Sequence, residues 1–328
     1  MKRKPWVLLT RCLPSAVMDR LRRSFILDVN RTDRSLGKRE LMKRLPAVDG
    51  LLCMLTDRID RAVIEVAPKL RVIANYAVGF NNVDLEAASR RNIFVTNTPG
   101  VLTETTADLT FGLILAASRR IAEGDTLVRA GKFKGWEPML LLGSDVHGRT
   151  LGIIGLGRIG QAVARRGLGF NMRIIYYEPK RLALTVEHET GAQYRALNAL
   201  LKESDIISIH LPLTPETRHL ISDREFRLMK PDCVVVNTSR GPVIDERALV
   251  RALRRKLIAA AGLDVYEREP RLAAGLNRLP NAVLVPHIGS ASLATRTEMG
   301  MVCVNNLISV LIKNRRPSNL VNPEAYVK

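Results

Sequence analysis

The segment Leu151-Gly152-Ile153-Ile154 runs directly into Gly155-Leu156-Gly157-Arg158-Ile159-Gly160, and a helical pattern follows at Ala162, Val163 and Ala164. A Gly-x-Gly-x-x-Gly hexapeptide between a buried strand and a helix constrains the fold more than any other stretch of this chain. Gly155 permits the tight turn, Gly157 lets the backbone approach a pyrophosphate, and Gly160 lets the helix pack closely on the strand. The helix N-terminus then offers free N–H groups and the positive end of a dipole to phosphates. In this context the motif points to dinucleotide binding rather than to a merely structural glycine turn. Eighteen residues after Gly160, at the end of the next apolar run, stands Glu178. An acid there accepts the ribose 2′-OH of NAD and repels a 2′-phosphate. Pro179, Lys180 and Arg181 follow at once, and two cations suit a 2′-phosphate. The acid favours NAD(H); NADP(H) stays open.

The rest of the chain has the matching alternation. Trp6–Leu9, Phe25–Val29, Gly50–Leu55, Val72–Tyr76 and Ile93–Val95 read as buried strands with helical spacing between them. A long helical segment from about Thr103 to Ile121 follows and is long enough to bridge two domains. Beyond a polar stretch, six more apolar runs appear at Thr150–Ile154, Arg173–Tyr177, Asp205–His210, Cys233–Asn237, Ile258–Leu263 and Ala282–Val285. A last helix is expected from about Ser292 to Lys313. Such alternation predicts α/β architecture with parallel sheets covered on both faces. The 328 residues suit two such domains.

Composition narrows the function. With 46% hydrophobic residues the chain is not intrinsically disordered. Its longest apolar stretch, Leu109 to Ala117, is too short to span a membrane. Lys2, Arg3 and Lys4 resemble the start of a signal peptide, but the apolar run after them ends at Thr10. Cys12, Cys53, Cys233 and Cys303 form no Cys-x-x-Cys pair and read as free, mostly buried thiols of a reducing cytoplasm. The net charge of +19 is unusual, and residues 1–45 carry 13 Lys/Arg against 4 Asp/Glu. A second basic run is Arg251, Arg254, Arg255 and Lys256. No helix-turn-helix, zinc or RNA-binding signature accompanies the charge, so a solvated basic face is expected and no dedicated nucleic-acid binding.

Three later segments follow strands: Asn237-Thr238-Ser239-Arg240-Gly241, Asp264-Val265-Tyr266-Glu267-Arg268-Glu269-Pro270 and Pro286-His287-Ile288-Gly289-Ser290. Ligands of open α/β sheets bind at the carboxyl ends of strands, so an Arg, an acid and a His can meet there. The set suits a 2-oxo acid. A guanidinium grips a carboxylate as a two-pronged fork. A His delivers a proton to the carbonyl oxygen as hydride arrives, and a close carboxylate favours the protonated imidazole by ~1–3 pKa units. No group of residues has metal-ligand spacing, which leaves Arg240 as the electrophile.

At these residues the chain resembles the D-isomer-specific 2-hydroxyacid dehydrogenases, and within them the glyoxylate/hydroxypyruvate reductase branch. The likeness runs almost end to end, from Gly50-Leu51-Leu52-Cys53 to the last helix. It is carried by Asn75-Tyr76-Ala77-Val78-Gly79-Phe80-Asn81-Asn82-Val83-Asp84, by Thr96-Asn97-Thr98-Pro99-Gly100-Val101-Leu102-Thr103, and by the residues from Ile206 to Thr214. Gly135-Trp136-Glu137-Pro138 and the stretch from Gly143 to Gly148 suggest the branch.

The resemblance implies two Rossmann-like or flavodoxin-like domains, a substrate domain of residues 1–99 and 288–328 and an inserted NAD(P)-binding domain of residues 100–287. It implies that Arg240 binds the substrate carboxylate, that His287 is the acid/base and that Glu269 is its partner. Backbone N–H groups at Val78 and Gly79 would also hold the carboxylate. Thr103, the loop with Gly155, Gly157, Arg158, Ile159 and Gly160, the Glu178-Pro179-Lys180 turn, Thr238 and Asp264 would touch the cofactor. Trp136 would lie near the substrate mouth in a homodimer. NADPH-preferring relatives often show Ser-Arg-Thr in place of Glu178-Pro179-Lys180, and Arg268 replaces a common acid. Glu267 is a rival to Glu269, and His287 after Pro286 could instead cap the last helix. His210 reads as structural, Cys53 as packing, and His147, His188 and His219 as surface residues. Reduction of glyoxylate or hydroxypyruvate is expected. The alternatives are a short-form D-3-phosphoglycerate dehydrogenase, since the chain ending at Lys328 leaves no room for the regulatory domain of long forms, and a dinucleotide-sensing corepressor-like interaction protein.

Overall fold

A computed structural model describes residues 3–32 and 34–326. Lys2 of the basic start therefore lies outside the described residues, as does Asp33. The chain divides into two compact units, one formed by Met1–Leu102 with Ala291–Lys328 and the other by Thr103–Ser290.

The first unit runs β1 (Trp6–Leu9), α1 (Ser15–Ser24), β2 (Ile26–Val29), α2 (Lys38–Arg44), β3 (Gly50–Cys53), α3 (Arg61–Glu65), β4 (Val72–Asn75), α4 (Leu85–Arg90) and β5 (Phe94–Thr96). The five strands form a parallel sheet in the order β2-β1-β3-β4-β5. Successive strand residues point to opposite faces, and here both faces are apolar. Val7, Leu9, Leu52 and Val72 share one cluster with Val17 and Leu21 of α1 and with Met299, Cys303 and Leu307 near the C-terminus. Leu8, Leu51 and Ile73 share the other with Leu41, Val63, Ile64 and Ala88 of α2, α3 and α4.

The second unit continues with α5 (Thr103–Ser118), α6 (Ile121–Arg129), β6 (Thr150–Ile154), α7 (Arg158–Gly169), β7 (Arg173–Tyr177), α8 (Leu184–Thr190), β8 (Ala192–Tyr194), α9 (Leu197–Glu203), β9 (Ile206–Ile209), α10 (Asp223–Leu228), β10 (Val234–Asn237), α11 (Glu246–Arg254), β11 (Ala260–Leu263) and β12 (Ala282–Leu284). The chain closes with α12 (Leu293–Leu311) in the first unit. The second sheet is parallel throughout, in the order β12-β11-β10-β9-β6-β7-β8. Strand order reverses between β6 and β9, the place where such sheets open a crevice at their carboxyl edge. The glycine loop leaves β6 at that point.

Most expected strands are found within a residue or two of the predicted ends. The edge strand β8 was not expected, because it is only three residues long and its central Gln193 faces solvent. The helix predicted from about Thr103 to Ile121 is α5, which ends three residues earlier at Ser118, and α6 follows it. The chain turns at Arg120, whose φ of 54° is left-handed, and the Ser118 carbonyl accepts the N–H of Ser144 (2.9 Å). Both helices lie in the second unit, so neither bridges two units. The last helix starts one residue late because Ser292 is its cap, accepting the Thr295 N–H at 3.1 Å. Among the described residues no helix is long and apolar enough to cross a membrane.

Candidate active site

The glycine loop meets each steric demand of the motif. A methyl group on Gly160 would stand 2.2 Å from the Gly155 carbonyl oxygen, so this glycine lets α7 start against the turn. Gly155 has φ of 98° and faces the His210 carbonyl, where a Cβ would come within 2.9 Å. A Cβ on Gly157 would meet nothing within 4 Å, which leaves the backbone open to a phosphate. Gly157 caps α7 without a side-chain acceptor, so the first-turn N–H groups, including those of Arg158 and Ile159, keep their donors. These residues fit a dinucleotide. His210 donates or accepts with Ser208 Oγ at 2.7 Å, and burial pushes its pKa down to about 3. It is a neutral structural residue beside the loop.

Glu178 follows the last residue of β7 and turns inward. Its Oε1 accepts the Leu156 N–H of the loop at 2.7 Å. Burial raises the Glu178 pKa, and that amide bond offsets part of the rise. Arg181 is tied to Glu187 by two bonds of 2.8 Å, and Tyr176 Oη donates to the same carboxylate at 2.7 Å. Lys180 is exposed and makes no ion pair among the described residues, and Pro179, between it and Glu178, is exposed too. Elsewhere in this unit Thr238 is buried with its hydroxyl 2.9 Å from that of Thr110, and Thr103 is the first residue of α5.

The second group stands at the ends of β10, β11 and β12. Asn237 closes β10 and accepts the Ser239 N–H at 3.0 Å, while its amide donates to the Arg240 carbonyl at 3.0 Å. This turn presents Arg240, half-buried, with Nη1 on the Ser239 carbonyl at 2.6 Å. Burial lowers the Arg240 pKa and the charge of Glu269 works against that shift. No carboxylate lies within ion-pair distance of Arg240 among the described residues. Glu269 Oε2 bonds His287 Nδ1 at 2.9 Å, and its Oε1 accepts the Tyr266 N–H at 3.1 Å. Burial pushes the Glu269 pKa up, but His287, the Tyr266 amide and Arg240 together hold it below the ordinary value. Glu267 does not touch His287; it serves His219 (3.0 Å). His219 is at the surface as expected, its side chain 37% exposed beside Glu267, and His147 and His188 are exposed. Nor does His287 cap the last helix. Its backbone is left-handed (φ of 53°), and the next two N–H groups, of Ile288 and Gly289, bond the two Asp264 oxygens at 2.6 and 2.8 Å. Asp264 is buried, and burial raises its pKa despite those amides.

Comparison with known proteins gives this geometry its context. Residues 111–289 match the model of the D-isomer specific 2-hydroxyacid dehydrogenase NAD binding domain. Over 323 residues the chain is 49% identical to a glyoxylate reductase of Korarchaeum cryptofilum, covering 98% of this chain and 97% of that one. It is 47% identical to a glyoxylate reductase of Thermococcus litoralis, with 98% of each covered. The crystal structure of the TT0316 protein from Thermus thermophilus superposes with a TM-score of 0.89 at 48% identity, covering 96% of this chain and 99% of that one. The chain belongs to the D-isomer specific 2-hydroxyacid dehydrogenase family. It is an oxidoreductase that reduces a 2-oxo acid by hydride transfer from NAD(P)H, and the glycine loop lies in its NAD(P)-binding domain.

In this dehydrogenase two features of the Arg240 and Glu269 loops escaped the sequence reading. Gly241 permits their contact, since a Cβ there would overlap the Tyr266 carbonyl carbon at 1.9 Å. Glu246, buried at the start of α11, accepts the N–H groups of Glu267 and Ala273, both at 3.0 Å, and so pins both sides of the turn bearing Glu269. An acid at a helix start is ordinary in sequence, so nothing marked it. Val78 and Gly79 lie in the first unit, just past β4. Cys53 is fully buried with its thiol on Asn75 Oδ1 (3.6 Å), and burial pushes its pKa well up, as suits packing.

The steric reading of the loop gives one expectation. Gly160→Ala must displace the Gly155 peptide, so NADH affinity should fall by at least about tenfold, with loss of ~1.4 kcal/mol or more. Fluorescence titration with NADH measures it; unchanged affinity would remove the loop from cofactor binding.

Proposed function

We propose that this dehydrogenase reduces glyoxylate or hydroxypyruvate to glycolate or D-glycerate, with NADH as the preferred donor. The observation that carries the substrate class is Arg240, a half-buried guanidinium with no protein carboxylate in ion-pair distance among the described residues. A desolvated fork of donors without an anion suits a substrate carboxylate. The small acid is supported by the relatives named glyoxylate reductase.

When bound, NADH supplies the hydride. Arg240 grips the carboxylate and keeps its positive charge beside the carbonyl as electron density moves to oxygen. His287 has Nδ1 engaged by Glu269, which leaves Nε2 to give its proton to that oxygen. Glu269 fixes the ring, and Asp264 fixes the backbone that carries it. The N–H groups of Val78 and Gly79 are assigned to the same carboxylate. Thr103, Thr238, Asp264, the loop from Gly155 to Gly160 and the Glu178-Pro179-Lys180 turn are assigned to the cofactor.

For the donor, Glu178 supports NADH. Its carboxylate is held at the strand end by the loop amide, where a 2′-phosphate meets negative charge. Of the two cations that favoured NADPH, Arg181 is engaged by Glu187, and only Lys180 is left. A homodimer is supported by Ile121, Val128, Phe133, Trp136, Met139 and Leu142, all at least half exposed within one segment of 22 residues. The last of them, Leu142, also lines a groove of about 600 Å³ with Leu253, Ile258, Leu279 and Pro280 of the same unit. An apolar surface of that kind is rare on a monomer, and a segment and a groove on one chain can satisfy each other across a twofold axis.

A panel of glyoxylate, hydroxypyruvate and pyruvate with each cofactor, and of D-3-phosphoglycerate with NAD+, tests the reading. The highest kcat/KM is expected for glyoxylate or hydroxypyruvate with NADH; a preference for D-3-phosphoglycerate or for NADPH would refute the corresponding part. Arg240→Lys keeps the charge and loses the fork, so kcat/KM on glyoxylate should drop by about 100-fold, ~2.7 kcal/mol. Near-normal turnover would show that the carboxylate is held elsewhere. The Glu269 carboxyl, held below its ordinary value, is charged at neutral pH and loses its charge only as pH falls through that lowered value. Glu269→Gln removes the anion at every pH. Reductive kcat/KM at neutral pH should then fall by about tenfold or more, because the ring loses the anion that holds it, and near-normal turnover would take Glu269 out of the proton transfer.

A further inference from the structure

Three successive carbonyls after β4 are held by named donors. The Thr98 N–H bonds the Ala77 oxygen at 2.9 Å, Asn97 Nδ2 bonds the Val78 oxygen at 2.7 Å, and Asn75 Nδ2 bonds the Gly79 oxygen at 2.8 Å. These peptides are trans, since the cis bond of the chain is Glu269-Pro270. In a trans peptide the C=O and the next residue's N–H point in opposite directions. Fixing the Ala77 oxygen therefore aims the Val78 N–H, and fixing the Val78 oxygen aims the Gly79 N–H. Neither N–H has an acceptor among the described residues. Two aimed, unpaired donors on one loop are what an anion needs.

Asn97 has the means to hold that aim. It follows β5, the neighbour of β4 in the sheet, and is 8% exposed. Its own N–H bonds the Asn319 carbonyl at 3.2 Å, so its backbone is anchored independently of the loop. Asn75, the other donor, is fully buried and its Oδ1 accepts Asn82 Nδ2 at 3.1 Å. The loop is thus pinned at Gly79 by a residue of its own strand and at Val78 by the residue that follows the next one.

We infer that Asn97 is a positioning residue for substrate, whose side-chain amide orients the Gly79 N–H toward the carboxylate of the 2-oxo acid. The inference rests on the assignment of the Val78 and Gly79 amides to that carboxylate. Asn97→Asp replaces the donor with a near-isosteric acceptor facing the Val78 oxygen; Asn97→Ala removes the donor without adding charge. Oxamate, a carboxylate that mimics a 2-oxo acid, is titrated calorimetrically into the NADH-loaded enzyme, and steady-state constants are measured beside it. Both variants should raise the oxamate Kd and the glyoxylate KM by about tenfold. The value of kcat should change by less than about threefold, and the KM for NADH should stay unchanged. A lower Tm with the oxamate Kd and glyoxylate KM unchanged overturns the inference, because a merely structural role predicts that pattern. Arg240→Lys in the same titration separates the two levels. If it weakens oxamate while the Asn97 variants do not, only the positioning role falls. If it leaves oxamate binding intact, the Arg240 assignment falls, while the inference stands or falls on the response of the Asn97 variants.

Discussion

The site depends on one close approach, that of Gly241 to the Tyr266–Glu267 peptide. Any side chain there would overlap the Tyr266 carbonyl, and the turn after β10 could not lie against the turn after β11. Arg240 immediately precedes this glycine, and Glu269 lies three residues past Tyr266. The contact is therefore what brings a half-buried cation near the carboxylate that serves His287. The electrostatics follow from it: the charge of Arg240 helps to keep Glu269 ionised, and Glu269 in turn offsets the loss of hydration around Arg240.

A second constraint acts on His287 from below. A left-handed backbone at a non-glycine residue costs of order 1–3 kcal/mol unless its surroundings enforce it. Here the buried Asp264 carboxylate takes the two N–H groups that follow, at 2.6 and 2.8 Å. The same chain reversal directs the imidazole to Glu269. Asp264 thus acts on the proton donor through the backbone, while Glu269 acts through the ring. Both acids are withdrawn from water, yet their pKa values move in opposite directions. For Glu269 the His287 bond and the charges of His287 and Arg240 outweigh burial, whereas for Asp264 burial, with the repulsion of Glu269, outweighs its two amides and the charge of His287.

The layered fold was legible because parallel strands covered on both faces are continuous apolar runs, and such runs mark themselves. The three-residue β8, with a polar residue at its centre, has no such run. The break between α5 and α6 has no glycine or proline; it is imposed by Gly143 and Ser144 packing on the Ser118 carbonyl, a contact between residues distant in sequence. At the site, residues that touch ligands carry the family's motifs, and their positions could be read. Residues that hold other residues could not. Glu246, Asn97 and Glu187 look like an acid at a helix start, a polar residue in a loop and a solvated helix charge, and only folding shows what each bonds. The cofactor turn is the sharpest instance: Glu178 and Arg181 argued for opposite donors in the sequence, and Glu187, in the middle of α8, is what engages Arg181.

The excess positive charge is best understood by separating number from availability. Many arginines are already committed to carboxylates, as Arg44 is to Asp28, Arg166 to Glu104 and Asp108, and Arg251 to Asp223. Exposed pairs of this kind contribute little stability, of order 0–1 kcal/mol each. Such pairs cancel within the net count, so the +19 is carried by cations beyond them. At physiological salt the field of a surface charge fades over about 8 Å. Distant lysines and arginines can therefore raise the encounter rate of small anionic acids at low salt, but they cannot choose among them. Choice requires a charge out of water, without a protein partner and fixed in direction. Arg240, with one bond to a neighbouring carbonyl and no carboxylate within reach among the described residues, meets those conditions.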